Sequence, residues 1–416
     1  MENVDTFNGV RICCFVLGVG MLTPWSIVVG ALDYWQNVTA TDTMNADMSF
    51  VFMAFNFIFL WGCIYAVGRY DFFKENGTTA ISSGFVLFLL PLLIVTTDSS
   101  PSYGLLIFLS ALLGAGQAVT QTETMRLIAR LPPQYTSDCV SGQALAGLFF
   151  SSLRLATKSS GKKTTNASTV GIETYFWIGN LIVVVSFCVS VILPKLSFSK
   201  YQLQLFGEDQ RYDELSESRD VLMSAKTELP DQSLQVDDSL SRANQPHLEL
   251  SLRETAMHLR HYCGMLFLVF FASLMVFPAL VSEIPSSEGL KTWFPTINSL
   301  VFNLFDLIGR LVAPIWTIEK HFWKYFIIGR LVVFPFIFCM AAQSVIQSDL
   351  LVYISMAFLA FTNGYFASVL IVAGPDAMHK TDRPKAAQVM VIMLVLGLAC
   401  GSFAGMPLAH AMHDES

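Results

Sequence analysis

Ile172-Glu-Thr-Tyr-Phe-Trp-Ile-Gly-Asn-Leu-Ile-Val-Val-Val-Ser-Phe-Cys-Val-Ser-Val-Ile-Leu-Pro194 carries a single charge, Glu173, and gives way at Lys195 to a long hydrophilic stretch. A helix of that length rises about 34 Å, enough to cross roughly 30 Å of hydrocarbon. Ten more runs of the same kind lie on either side of it, at 10–32, 48–68, 79–97, 103–129, 138–157, 259–281, 294–316, 322–343, 349–375 and 384–409. In lipid every backbone group must be bonded internally, so such runs are helices; a barrel would need short alternating segments, and these are missing. The first run is longer than a signal core and has no clear small-residue cleavage site, so it reads as a span. The expected fold is an all-α polytopic membrane protein of about eleven transmembrane helices. Composition agrees: with 416 residues, 53% hydrophobic and 14% charged, the chain has too little polar surface to cover a soluble globule.

The hydrophilic stretch divides the spans six and five. The expected domains are a six-helix bundle over 1–194, a linker over 195–255 and a five-helix bundle over 256–416. The linker is rich in Ser, Asp, Glu and Gln and holds about a third of the acids. It cannot bury enough apolar surface to order itself, so it is expected to be a mostly disordered cytoplasmic tether. Ser216, Ser218, Ser239 and Ser241 in it are candidate phosphorylation sites. Because the net charge of −7 is concentrated there, it points to no nucleic-acid partner. Two bundles around a cytoplasmic loop suggest a major-facilitator-like machine rocking about a midplane site.

Lys and Arg set the orientation. With the amino terminus inside, the cytoplasmic loops collect Arg69, Lys74, Arg130, the basic residues of 195–260, Lys320, Lys324, Lys380, Arg383 and Lys385. The other side keeps Lys158, Lys162, Lys163 and Lys291. The carboxyl terminus then lies outside the cytoplasm. Sequons at Asn37 and Asn166 fall in outward loops and are candidate glycosylation sites; the one at Asn76 falls inside. Cys13, Cys14, Cys63, Cys139, Cys188, Cys263, Cys339 and Cys400 lie in or beside apolar runs without a CxxC pair, and read as small packing residues.

Charges inside apolar helices are costly and escape by pairing or by facing a wet cavity, so they are candidate site residues. Asp306 and Arg310 stand four apart on one helical face, with Asn303 a turn earlier. They are either a structural ion pair or donors and acceptors for a hydroxylated ligand. Gln121, Glu123 and Arg126 form a second cluster, in which Arg126 either pairs with Glu123 or snorkels to the cytoplasmic edge. Arg154 and Arg330 stand near helix ends and read as interface anchors, with substrate contact as the alternative for both.

Thr23-Pro-Trp25, Ser141-Gly-Gln-Ala-Leu-Ala-Gly147, Asn303-Leu-Phe-Asp-Leu-Ile-Gly-Arg310, Gly329-Arg-Leu-Val-Val-Phe-Pro335, Phe361-Thr-Asn-Gly-Tyr-Phe-Ala-Ser368 and Gly374-Pro375 closely resemble signatures of the equilibrative nucleoside transporters, in the family's order. The resemblance implies eleven helices, an inward amino terminus and a large central loop. It also implies that Trp25 packs at a central cavity, that Gln121 bonds the base, and that Asp306 and Arg310 engage the ribose hydroxyls beside Asn303.

Three departures bear on this. Ser26 stands where the family has Asn. Glu123 and Arg126 stand where small or apolar residues are expected. Arg154-Leu-Ala-Thr-Lys158 looks more like the plant and organic-cation branches, although the cation branch tends to hold an acid where Gln143 stands, so a neutral substrate is favoured. The expected function is alternating-access nucleoside transport, facilitative or proton-coupled, with Glu123 and Asp306 as the available acids and Glu123, Arg126, Gln143 and Arg330 as candidate coupling or gating residues. The alternatives are an organic-cation, monoamine or nucleobase carrier, and a non-transporting receptor. No P-loop, metal or nucleophile constellation is present, so neither a cofactor nor catalysis is expected. The expected membrane is the plasma membrane, with the vacuole or another endomembrane as alternatives.

Overall fold

The computed structural model describes residues 5, 8–39, 44–69, 77–97, 101–160, 165–209, 211, 250–277, 279–282, 284, 286–287, 289–290, 293–316, 318–343 and 345–414. Among them there is no strand. The apolar runs become helices α1 (Gly9–Gly30), α3 (Met44–Arg69), α4 (Gly77–Thr97), α5 (Tyr103–Ile128), α6 (Pro133–Ser160) and α7 (Thr165–Ile192) in the first half, with the short α2 (Leu32–Thr39) after α1. A helix over 197–209, α8, follows. The second half holds α9 (Leu252–His258), α10 (Arg260–Val276), α11 (Ala279–Ser282), α12 (Trp293–Val312), α13 (Lys320–Ala342), α14 (Asp349–Asp376) and α15 (Arg383–Asp414).

Nine of the described helices are long and apolar enough to cross a membrane, or ten if α9 and α10, bent by 82° at their junction, count as one broken span. The expected run 294–316 is α12, which is not among them: Asn298, Asn303, Asp306 and Arg310 depress its hydropathy. The expected continuous span 259–281 is broken, since α10 ends at Val276 and a separate turn, α11, starts at Ala279. Apolar side chains such as Trp61, Leu181, Val332, Phe336 and Phe358 stay exposed on the outer surface, where lipid is the solvent.

In the first half α1 packs on α6 and α7, α4 on α5 and α7, and α3 on α5; in the second α12 packs on α14 and α10 on α15, with α13 alongside α10. The halves meet where α6 lies on α12 and where α15 lies on α3 and α5. Without a hydrophobic drive between helices in lipid, close approach depends on small residues. At Gly18 of α1 an added Cβ would collide with the Cys139 carbonyl, and at Gly142 of α6 with the Phe15 carbonyl. The same reciprocal crossing holds α12 to α14, Gly309 against Phe361 and Gly364 against Asp306.

The edges of the 195–255 stretch are helical rather than disordered. Phe198 of α8 packs on Tyr135 with ring centroids 5.6 Å apart, Arg130 lies 5.5 Å from the centroid of the Phe206 ring, and Asp209 pairs with Lys380 at 3.7 Å. At the far edge Ser251 caps α9, and the Leu250 carbonyl accepts from Lys385 Nζ at 3.0 Å. Residues 212–249, with the four candidate phosphorylation serines, lie outside the described residues, as does Asn76. Asn37 and Asn166 have helical backbones, in α2 and in the first turn of α7.

Candidate functional site

A cavity of about 110 Å³ opens between the two halves, lined from α1, α3, α5 and α6 on one side and from α10, α12, α14 and α15 on the other. A water needs only about 10–15 Å³ measured this way, so the space holds several. The aromatic wall comes from Trp25 and Phe52, whose rings lie 5.1 Å apart, and from Phe277 and Phe302, stacked at 4.7 Å. Pro24 interrupts the backbone ladder of α1 beside that wall. Thr23 and Ser26 donate to the Val19 and Leu22 carbonyls, both at 2.9 Å. Ser26 thus turns its hydroxyl to its own helix and brings no amide to the site.

Asp306 and Arg310 sit on the face of α12 that turns to the cavity, both 5% exposed. Arg310 Nε donates to Asp306 Oδ2 at 2.9 Å, and Nη1 reaches across the seam to the Val140 carbonyl at 3.0 Å and to Gln143 Oε1 at 3.5 Å. The other carboxylate oxygen, Oδ1, accepts from Asn363 Nδ2 at 2.7 Å. Asn363 Oδ1 accepts in turn from Ser273 at 2.8 Å, and the Ser273 oxygen accepts from Arg330 Nη2 at 2.6 Å. One chain of side chains therefore runs from Arg330 on α13 through α10, α14 and α12 to the backbone of α6.

Trp25, Gln121, Gln143, Asn303, Asp306 and Arg310 all line this cavity. Asn303 spends its amide on the Ser299 carbonyl at 2.8 Å and on Ser151 Oγ of α6 at 3.4 Å, and its oxygen lies where a Cβ on Gly147 would go. Glu123 and Arg126 are not in the lining. They form a buried pair at 2.6 Å, and Arg126 stays inside the helix packing rather than snorkelling to an edge. Arg330 likewise is not an interface anchor: it is 3% exposed, its Nε and Nη1 have no partner among the described residues, and its one strong bond goes to Ser273. Arg154 is half-buried. Asn56, Gln117, Ser151 and Asn363 also line the cavity, and sequence reading gave none of them a role. A lone amide within an apolar helix carries the same desolvation signal as a charge, only weaker.

A nucleoside transporter family profile matches residues 107–408, well over half of the chain. The chain belongs to that family. Its relatives include the equilibrative nucleoside transporter 1 of Homo sapiens, 25% identical over 448 residues and covering 96% of each chain. The equilibrative nucleotide transporter 1 of Arabidopsis thaliana is 24% identical over 412 residues, covering 96% of this chain and 85% of the relative. The structure superposes on a major facilitator superfamily proton:xylose symporter with a TM-score of 0.62 at 12% identity, covering 95% of this chain and 87% of that one. The fold is therefore major-facilitator-like, and family membership places the chain among membrane transporters rather than enzymes.

In a transporter, the Arg330 chain has a measurable consequence. Replacing a buried cation that leaves two donors unmet by an apolar side chain of similar length costs the fold little or nothing. Arg330→Met should therefore match or exceed the wild-type melting temperature in detergent. With Ser273 and Asn363 no longer held against Asp306, its maximal uptake rate should fall about tenfold. Unchanged uptake would show that Asn363 keeps its place unaided.

Proposed function

We propose that the protein carries nucleosides across the plasma membrane by alternating access, with its amino terminus and central segment in the cytoplasm and its carboxyl terminus outside. The supporting observation is the Asp306–Arg310 pair, opening on an aromatic-walled cavity at the seam of the two bundles. A nucleoside is neutral, with a π face suited to Trp25 and Phe52 and hydroxyls that need partners once they leave water. Asp306 accepts from a ribose hydroxyl and Arg310 donates to one, so the sugar exchanges its water for an ion pair already in place. Substrate bonds at Arg310 compete with those to Val140 and Gln143, which couples occupancy to the seam between α6 and α12. A free nucleobase leaves the pair unengaged and should compete at least about tenfold more weakly than its nucleoside.

The organic-cation reading is disfavoured, because the lining's carboxylate is already shared by Arg310 and Gln143 brings no second one. Both intramembrane acids considered for proton coupling are ion-paired, Glu123 to Arg126 and Asp306 to Arg310, and this favours facilitative transport. The test is uptake of labelled adenosine and uridine into proteoliposomes, with monoamines as competitors and with an imposed proton gradient. Saturable nucleoside uptake, unchanged when the gradient is collapsed, is expected. Monoamine uptake without nucleoside uptake would overturn the substrate assignment, and accumulation driven by the gradient would replace facilitation by symport.

A further inference from the structure

The wall of the cavity contributed by α3 and α5 carries an unmet hydrogen-bonding demand. Asn56 of α3 and Gln117 of α5 both line the cavity, and each is 2% exposed. Among the described residues Asn56 Oδ1 and Gln117 Oε1 have no hydrogen-bond partner. Their helices are brought together at Gly114, where an added Cβ would lie 3.1 Å from the Asn56 backbone nitrogen and against the Phe52 carbonyl. Gln117 is the next residue along that face of α5, and Gln121 follows a turn later, its Oε1 accepting from Gln117 Nε2 at 3.4 Å. Two carboxamides of α5 and one of the adjoining α3 thus line the wall contributed by the first bundle, and among the described residues two of their buried carbonyl oxygens lack donors.

Buried acceptors without donors are rare in folded proteins and mark places where a ligand or water completes the set. The nucleoside brings its base to this wall if its sugar occupies Asp306 and Arg310 on the other. An exocyclic amino group has two N–H donors, one for each orphan oxygen. The ring nitrogen next to it is an acceptor, matched by a carboxamide N–H in the pairing that Asn and Gln make with adenine. Uracil and hypoxanthine instead present a carbonyl at that position and a single ring N–H beside it, which can serve only one of the two oxygens and leaves the other unpaired.

We propose that Asn56 and Gln117 form an amino-reading subsite that selects nucleosides of amino-bearing bases, adenosine and cytidine, over uridine and inosine. The proposal rests on the nucleoside reading of the cavity and adds a specificity that this reading does not require.

Competition of labelled adenosine uptake in proteoliposomes of the full chain tests it, with purine riboside, which is adenosine without its amino group, as the decisive competitor. Adenosine should compete about tenfold better than purine riboside, and cytidine about tenfold better than uridine. In Asn56→Leu and Gln117→Leu the adenosine to purine riboside ratio should fall to within about twofold of unity. Equal competition by the two purines in the wild type would overturn the subsite and leave nucleoside transport standing. Variants that lose both purines in the wild-type ratio would overturn it too, since only general packing would have been disturbed. Absence of uptake of any nucleoside by the wild type would overturn the nucleoside reading and the subsite with it.

Discussion

In membranes holding equal amounts of protein, Asp306→Asn should take up labelled adenosine at about a hundredth of the wild-type rate or less. The carboxylate is the hub of the buried network: Oδ2 takes Arg310 Nε at 2.9 Å and Oδ1 takes Asn363 Nδ2 at 2.7 Å. Asparagine keeps the shape and one acceptor. It leaves the Arg310 guanidinium, 5% exposed, without its counter-charge, and breaking one side of a buried pair typically costs about 3–5 kcal/mol. Part of that loss falls on folding, so the single variant should also melt earlier. The double variant Asp306→Asn, Arg310→Met separates the two effects. With both charges of the pair removed only Arg330 of this network stays buried without a counter-charge, so thermal stability should return in large part, while uptake stays lost because the sugar has neither the carboxylate nor the guanidinium of the pair. Recovery of uptake in the double variant, or wild-type uptake in Asp306→Asn, would make the pair a purely structural contact.

The second large effect is on folding itself. Gly364→Ala adds one methyl group to α14, yet its Cβ would collide with the Asp306 carbonyl oxygen and stand 2.8 Å from the carbonyl carbon. Those are backbone atoms of α12, and no rotamer change can move them aside. On the other side of the crossing, Gly309 faces the Phe361 carbonyl just as closely, so the two helices would have to separate along their length. Overpacking usually costs about 1–3 kcal/mol, and a crossing that cannot yield lies at the top of that range or above it. Gly364→Ala should show a melting temperature well below wild type and little monodisperse protein in detergent. Gly264→Ala is the control. Nothing lies within 4 Å of its added Cβ, so the same change should stabilise by up to about 1 kcal/mol through helix propensity. Similar thermal behaviour of the two variants would refute the crossing geometry.

The spans were legible because length and apolarity alone decide whether a segment crosses a bilayer. The azimuth of each helix was not. In lipid the outward face is as apolar as the packed one, so the sequence of α13 does not say which way Arg330 points. That is why an arginine well inside the second bundle read as an edge anchor. Helix α12 is the exception. Asn303, Asp306 and Arg310 fall on one face, and that face lines the central cavity. Asn56, Gln117 and Asn363 escaped notice because a lone neutral amide is a weaker desolvation signal than a charge, although burial gives it the same need for a partner. The break after Val276 was passed over although Pro278 signals it, because Phe277 and the residues after it keep the run apolar while the helix itself stops. The near helical edge of the central segment packs Phe198 on Tyr135, a contact no local pattern announces, whereas the far edge carries a local signal that was passed over, the capping box Ser251-Leu-Arg-Glu254.

The reciprocal glycines also determine where the molecule is stiff. Inside each half, main chain rests on main chain, and such a contact either holds or fails. Across the seam Gly147 meets only the tip of Asn303, and Lys158 reaches Thr296 through its terminal amine at 3.2 Å, contacts that a bond rotation can release. A compound too bulky for the pocket, if it lodged between α6 and α12, would act as a doorstop. It would arrest turnover without touching Asp306, and excess nucleoside would not wash it out.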